Sequence, residues 1–284
     1  MNKNTLRAFK NIIDNPTATV NPARISSNRI NNVGDALEGF IKDAYSELLG
    51  LGLSQEVKDL RYSDVFSWLG NPSNPPDAFL RGGDDGDSIE VKKIESLRSS
   101  IALNSSHPKN KLHSDDSRIT ITARNVEKWK IRDIVYAIGS VKNNELKRLW
   151  LIYGDCYAAS RETYERLTKI IEDGVNEIPG VEFLKTNELA KIKKVDPLGI
   201  TDMRVRGMWN IQNPSCLYPH LVSISEKRQY YLLMREEKYL SFKEEDRKLL
   251  EDLKLTGFSN KVIEIRNPDN PAQLLKARFI KYEI

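Results

Sequence analysis

Cysteine is scarce in this sequence. Cys156 and Cys216 are the two among 284 residues, too few for a disulfide framework, and a reducing cytoplasm is the expected setting. Histidine is almost as rare, with three residues. Of these, His107 and His113 lack the spacing of metal ligands, so a zinc site is not expected. No run approaches the roughly 18 apolar residues of a membrane span. The opening stretch MNKNTLRAFKNIIDN has neither the apolar core nor the cleavage site of a secretion signal. A phosphate-cradling G-x-x-x-x-G-K-[ST] loop is missing, which argues against a nucleotide hydrolase and against a nucleotide cofactor. Internal repeats, low-complexity tracts and clear linkers are missing too.

What is present is an ordinary globular composition, 39% hydrophobic and 30% charged, on a chain long enough to bury a substantial core. One domain over 1–284 is expected, with an N-terminal helical segment and a C-terminal extension. The formal net charge of +4 does not by itself name a partner, but its distribution is uneven. From Val91 to Arg132 there are ten Lys and Arg against four Asp and Glu. Such a segment is either a solvated lysine-rich surface or a face for a phosphate backbone, whose binding is salt-sensitive.

The chain is organised around Asn74 to Ser96, NPPDAFLRGGDDGDSIEVKKIES. Gly82-Gly83 and Asp84-Asp85-Gly86-Asp87 are strong turn formers, and short apolar flanks on either side predict a hairpin of two strands. On a strand, alternate residues share a face. Glu90 and Lys92 therefore project together, while Ile89 and Val91 project into a core. Asp77 stands at the start of the partner strand, where the chain returns beside Glu90. Two carboxylates and an ammonium on one face suit a hard divalent cation, which takes carboxylate, water and substrate phosphate oxygens. The bland alternative is an exposed hairpin carrying a Glu and a Lys on its wet side.

The pattern resembles the PD-(D/E)-x-K nuclease superfamily, with Asp77 matching the first acid, Glu90 the second and Lys92 the lysine. A longer likeness runs from about Arg29 to Trp209. The runs RINNVGDALEGFIKD, NPPDAFL, IEVKKIESLRSSIALNSSHPKNKL, WLIYGDCYAA and KVDPLGITDMRVRGMW look like the NgoPII-type restriction endonucleases. The resemblance implies an α/β (mixed α+β) fold with a central mixed β-sheet flanked by helices. It also implies a Mg²⁺-dependent type II endonuclease acting on double-stranded DNA at GGCC, cleaved centrally to leave blunt ends. A palindromic site implies a homodimer. In the superfamily a first helix often lends a further acid, here Glu38. Two alternatives stand beside this: a repair or junction-resolving nuclease with the same core, and a DNA-binding protein without catalysis.

The remaining pattern supplies helices and DNA contacts. Apolar spacing predicts a helix over residues 5–14. Asp35 and Glu38 read as a capping box opening a second helix, with Leu37, Phe40, Ile41, Ala44, Tyr45 and Leu48 as its stripe. Glu38 is thus a cap, an acid of the site, or both. The Ser- and Asn-rich loop after the hairpin leaves the active strand beside the phosphate. Lys93, Arg98, Ser99, Ser100, Asn104, Ser105, Ser106, Lys109 and Lys111 are the candidate DNA contacts there, against a plain surface loop. Further on, a helix is expected over 122–130, strands over 133–139 and 149–154, and a helix from Ser160 with Tyr164, Leu167, Ile170, Ile171 and Val175 facing in. Arg204 and Arg206 share a strand face and would clamp phosphate or read guanine, or else lie solvated on an edge. Strands over 228–234, 262–265 and 277–284 and a helix over 243–253 form the expected extension.

Overall fold

The computed structural model describes residues 3–16, 19, 29–70, 75–103, 106–177, 182–184, 190–205, 207–223 and 225–284. Asn104, Ser105 and Arg206 lie outside the described residues. In chain order the elements are α1 (Thr5–Asp14), α2 (Arg29–Ser46), α3 (Gln55–Val65), β1 (Phe66–Trp68), β2 (Ala78–Leu80), β3 (Ser88–Ile94), β4 (Ile101–Ala102) and β5 (Lys111–His113). Then come α4 (Ile121–Asn125), β6 (Ile131–Lys142), β7 (Glu145–Tyr153), α5 (Arg161–Asn176), β8 (Glu182–Leu184), β9 (Ala190–Lys193), β10 (Met203–Val205) and β11 (Asn210–Ile211). The chain closes with α6 (Pro214–Leu217), β12 (Gln229–Arg235), α7 (Glu236–Ser241), α8 (Glu244–Glu251), β13 (Phe258–Arg266) and β14 (Leu274–Glu283).

Among the described residues a nine-stranded mixed sheet runs β1-β2-β3-β6-β7-β12-β14-β13, with β5 added to β6. β3 pairs parallel to β6, and β7 parallel to β12, while β6–β7 and β12–β14 are antiparallel. The central strands are apolar on both faces, as strands covered twice must be. Val135, Ala137, Leu149, Leu151, Tyr230 and Leu232 face a core shared with α1 and α2. The alternate residues Ile134, Tyr136, Ile138, Trp150, Ile152 and Tyr231 face a second core roofed by Leu112, Ile119, Trp129 and Tyr157. Asn143 and Asn144, at φ 53° and 62°, make the β6–β7 turn. Two consecutive left-handed residues match the twist of a two-residue hairpin, and asparagine tolerates that backbone.

Gly139 lets α2 settle close on the sheet: a Cβ there would stand 2.6 Å from the Leu37 side chain. The stripe expected on α2 is buried as a whole, but its start differs. α2 begins at Arg29, so Asp35 lies inside it, exposed, and caps nothing. An Asp-x-x-Glu spacing is also an ordinary pair on a helix surface and does not by itself mark an end. The stripe expected on α5 also differs, because Leu167, Ile170 and Ile171 are exposed. Both sheet faces already have cover; of that stripe Tyr164 stacks on His107, and Thr168, outside the stripe, is buried. The helix expected over 122–130 is the shorter α4, capped by Thr120. From residue 229 onward, where an extension was expected, the chain supplies β12, β13 and β14 of the central sheet itself. Among the described residues no helix is long and apolar enough to cross a membrane.

Candidate active site

The hairpin β2–β3 is locked before any functional group is considered. Ala78 pairs with Ile89 and Phe79 with Ser88. Its Gly-Asp turn is fastened to the loop before β6: Asp84 accepts the backbone N–H groups of Lys130 (2.5 Å) and Ile131 (3.0 Å). Glu127 accepts those of Gly82 (3.2 Å) and Gly83 (3.1 Å). Arg132, with no exposed surface, donates to the carbonyls of Leu80 (2.8 Å) and Gly86 (3.2 Å) and pairs with Glu127 at 2.5 Å. A Cβ at Gly86 would stand 2.4 Å from the Leu80 carbonyl oxygen, so the turn needs glycine there for space.

Asp77 is held at the start of this hairpin. Its N–H donates to Ile89 O at 3.0 Å, and its Oδ2 accepts the N–H of Val91 at 2.6 Å. The carboxylate is therefore tied to the backbone between Glu90 and Lys92. Upstream, Trp68 Nε1 donates to Pro76 O at 3.1 Å, and Gly70 at φ +75° lies so close that a Cβ would be 2.6 Å from Asp77 O. Lys92 Nζ meets Glu90 Oε1 at 2.5 Å. Glu90 is buried, and its other oxygen, Oε2, has no hydrogen-bond partner.

From α2, Glu38 joins the same electrostatic group. Its Oε1 pairs with Lys42 at 2.5 Å, and Lys42 also donates to Leu69 O at 3.3 Å. The charges feel one another. Burial and then the Glu90 charge push the Asp77 carboxyl up to about 6, against the pull of Lys92. Burial also pushes Glu38 up, only partly offset by Lys42, with Asp77 adding to the rise. Burial pulls the Lys92 ammonium down, but Glu90, Asp77 and Glu38 more than offset it, so the net shift is upward. Two acids therefore crowd one lysine, and a further cation beside them would relieve the repulsion between the carboxylates.

The donor set fits a divalent cation of the hard class. Glu90 Oε2 is a buried acceptor without a donor, and Asp77 keeps one oxygen outside its bond to Val91. Among the described residues no three His, Cys, Asp or Glu side chains form a closed ligand cluster. A hard divalent cation held by Asp77 and Glu90 would take the rest of its shell from water and phosphate.

The expected DNA contacts fall into two groups. Arg98, Ser99 and Ser100 are exposed on the loop after β3. That loop is knitted to the later segment by the β4–β11 pairing and by Leu103 N–H donating to Trp209 O at 2.8 Å. Arg204 is exposed on β10, which pairs with β9 in a small separate sheet. Ser106 is half-buried and bonds His107 O at 3.3 Å. Lys93 is paired with Glu95 at 2.9 Å, and Lys111 with Asp133 at 2.8 Å. Lys109 does not suit the expected surface contact: it is buried, its ammonium is paired with Asp116, and burial pulls its pKa down. A lysine in a polar loop looks exposed in sequence, and only the fold shows which ones turn inward. Lys42 went unread, although its place four residues after Glu38 on an amphipathic helix was a usable signal.

Asp77 at the start of the hairpin and the Glu90–Lys92 pair on β3, beside an exposed loop carrying Arg98, are equipped to hold a phosphate ester next to a cation. The chain belongs to the NgoPII restriction endonuclease family, whose model matches residues 3–266. It is 42% identical over 285 aligned positions to the type II restriction enzyme NgoPII of Neisseria gonorrhoeae, an alignment covering 99% of this chain and 100% of that protein. No solved structure matches the chain.

Proposed function

We propose that this protein is a type II restriction endonuclease with a PD-(D/E)-x-K core. It hydrolyses phosphodiester bonds in double-stranded DNA at a short palindrome, GGCC, with Mg²⁺. The family membership supports the class of reaction. The observation that carries the chemistry is the tie of the Asp77 carboxylate to Val91 N–H, which sets it against the Glu90–Lys92 pair.

Asp77 and Glu90 would hold the cation, with Glu38 as the further acid. When bound, the cation supplies positive charge beside the scissile phosphate and lowers the pKa of a water there. In the cation-free protein the acids around Lys92 raise its pKa, outweighing burial. Lys92 would position or activate the attacking water and offset charge on the phosphorane-like transition state. Glu127 and Arg132 hold the turn, so the carboxylates do not have to be organised during the reaction. A two-fold homodimer, each subunit cutting one strand, fits a palindromic target.

Digestion of a sequenced plasmid with and without Mg²⁺, followed by end mapping, tests this reading. Discrete fragments ending between the central G and C are expected. A smear, products only from branched DNA, or no cutting with any divalent ion overturns it. Asp77→Ala, Glu90→Ala and Lys92→Ala should each abolish cutting in a folded protein.

A further inference from the structure

A second cationic group lies on the same sheet face as Glu90 and Lys92. Across the strands Lys92 aligns with Ile138 and Trp150; two residues on, Ile94 aligns with Ser140, Arg148 and Gln229. With a period of two, Arg148 shares the face of Lys92. It lies two strands across and one pleat along. At about 3.3 Å per residue and about 4.8 Å between strands, the two backbone positions are about 12 Å apart. That is the axial rise of about three to four nucleotides.

Arg148 is 7% exposed, yet among the described residues it has no carboxylate partner. Neutral groups hold its guanidinium: Nε donates to Gln229 Oε1 at 2.7 Å and Nη1 to Ser215 Oγ at 3.1 Å, and the group lies 5.9 Å from the Tyr231 ring centre. Ser215 Oγ also accepts from Trp150 Nε1 at 3.0 Å, so the holder is itself held. The carboxylate whose field reaches Arg148, Glu283, is engaged with Lys281 at 3.4 Å and with Gln229 Nε2 at 3.4 Å. A buried charge without a counterion is costly, and an anionic ligand removes the cost.

Arg148 opens on a cleft of about 880 Å³ whose wall includes Lys93, Arg98, Lys142, Lys147 and Lys227. Lys93 and Lys147 have glutamate partners, at 2.9 and 2.6 Å. Arg98, Lys142 and Lys227 form no ion pair among the described residues. The fork of a guanidinium matches two oxygens of one phosphate, and the lysines add charge without direction.

We propose that Arg148 clamps a backbone phosphate of the substrate DNA, three to four nucleotides from the cleaved linkage, and so sets the register of the duplex over Glu90 and Lys92. This rests on the endonuclease reading above. Arg98, Lys142 and Lys227 extend the same contact along the backbone.

The test is binding of a short synthetic duplex containing the mapped cleavage site, with Ca²⁺ replacing Mg²⁺, as a function of salt. Wild type is compared with Arg148→Met and Arg148→Lys, each checked by thermal melting. Arg148→Met is expected to weaken binding at least tenfold and to reduce the slope of log K against log[salt] by about one, equally on unrelated duplexes. In wild type, a neutral methylphosphonate placed along each strand should reveal one sensitive phosphate three to four nucleotides from the cut, and that sensitivity should vanish in Arg148→Met. An unchanged slope overturns the clamp. So does a loss confined to the specific sequence, which would make Arg148 a base reader. Should Arg148→Met fail to fold, the wild-type methylphosphonate scan decides alone, and absence of a sensitive phosphate at that distance overturns the proposal. A wild type that binds no duplex refutes the endonuclease reading itself, whereas tight binding indifferent to Arg148 refutes only the clamp.

Discussion

Removing the charge of Glu127 should loosen the hairpin that carries Asp77 and Glu90, through Arg132. Arg132 has no exposed surface, and among the described residues its charged partner is Glu127, at 2.5 Å. It also lies 4.7 Å over the Phe79 ring and 5.3 Å over that of Trp129, so it has no route to water. Glu127→Gln keeps the side-chain shape and deletes the counterion. Breaking a fully buried pair from one side costs about 3–5 kcal/mol; because the Glu127 side chain keeps 22% of its exposure, the discounted figure is about 2–3 kcal/mol. For a chain of this size each kcal/mol moves Tm by about 2–4 °C, so a fall of about 4–12 °C is expected near neutral pH. The effect also has a pH signature. Burial pushes the Glu127 carboxyl up, but bonds from Ser67, Arg132, Gly82 and Gly83 outweigh it and hold it at about 2, below the ordinary 4.5. Its folded pKa is depressed, so its stabilisation is complete above 4.5 and is lost as pH falls from there through about 2. Melting of wild type and Glu127→Gln should therefore converge on acidification. The double variant with Arg132→Met should fall short of the sum of the single losses. A Tm unchanged at neutral pH, or a gap that stays constant through the acid range, would refute the reasoning.

Gly70→Ala places a Cβ 2.6 Å from Asp77 O at φ +75°. The strain is about 1–2 kcal/mol, and the displaced Asp77 should lower DNA cleavage at least tenfold while the protein stays folded; full cutting would show that Asp77 tolerates the shift. Lys238 joins Asp87 at 3.0 Å and Asp133 at 2.8 Å, with Asp87 only 2% exposed. Lys238→Met should cost about 3–5 kcal/mol in urea unfolding, since it strands buried charge, and a loss under about 1 kcal/mol would count against that network. Asp77 has a raised carboxyl pKa of about 6, against an ordinary 3.8. In the cation-free protein its contribution to stability is therefore complete below 3.8 and is lost as pH rises through about 6. A divalent cation needs the ionised form, so Ca²⁺ affinity measured by calorimetry should drop about tenfold per pH unit below about 6. Affinity independent of pH there would remove Asp77 from the cation site.

Much of this fold was legible because its signals are local. The β6–β7 hairpin announces itself through two apolar runs around Asn143-Asn144, and the structure gives both residues the left-handed backbone that such a turn requires. The α2 stripe follows the helical period and is buried from Leu37 to Leu48. The helix start at Arg29 was not legible, because Asp35 and Glu38 fit a cap and a mid-helix pair equally well. Nor was the exposure of Leu167 and Ile170, since the period of a helix says that one side is apolar but not that anything covers it.

The candidate site divides in the same way. Glu90 and Lys92 are two apart on one strand, so their meeting is written in the period of that strand. Asp77 needed one hairpin return, which the Gly-Asp turn signalled, and its bond to Val91 N–H places it there. Glu127, Arg132 and Arg148 carried no such mark. Each acts across strands or loops distant in sequence, and an arginine in a run such as ELKRLWLIY reads as an ordinary strand residue until its neighbours are known. Sheet register supplies them: Arg148 gains meaning only when β6 lies between β3 and β7 and brings Ser140 and Gln229 to its sides. Groups that would act on the reacting atoms are thus found from spacing along the chain. Groups that hold the hairpin, or that would hold the duplex in place, are set by strand order, which spacing does not encode.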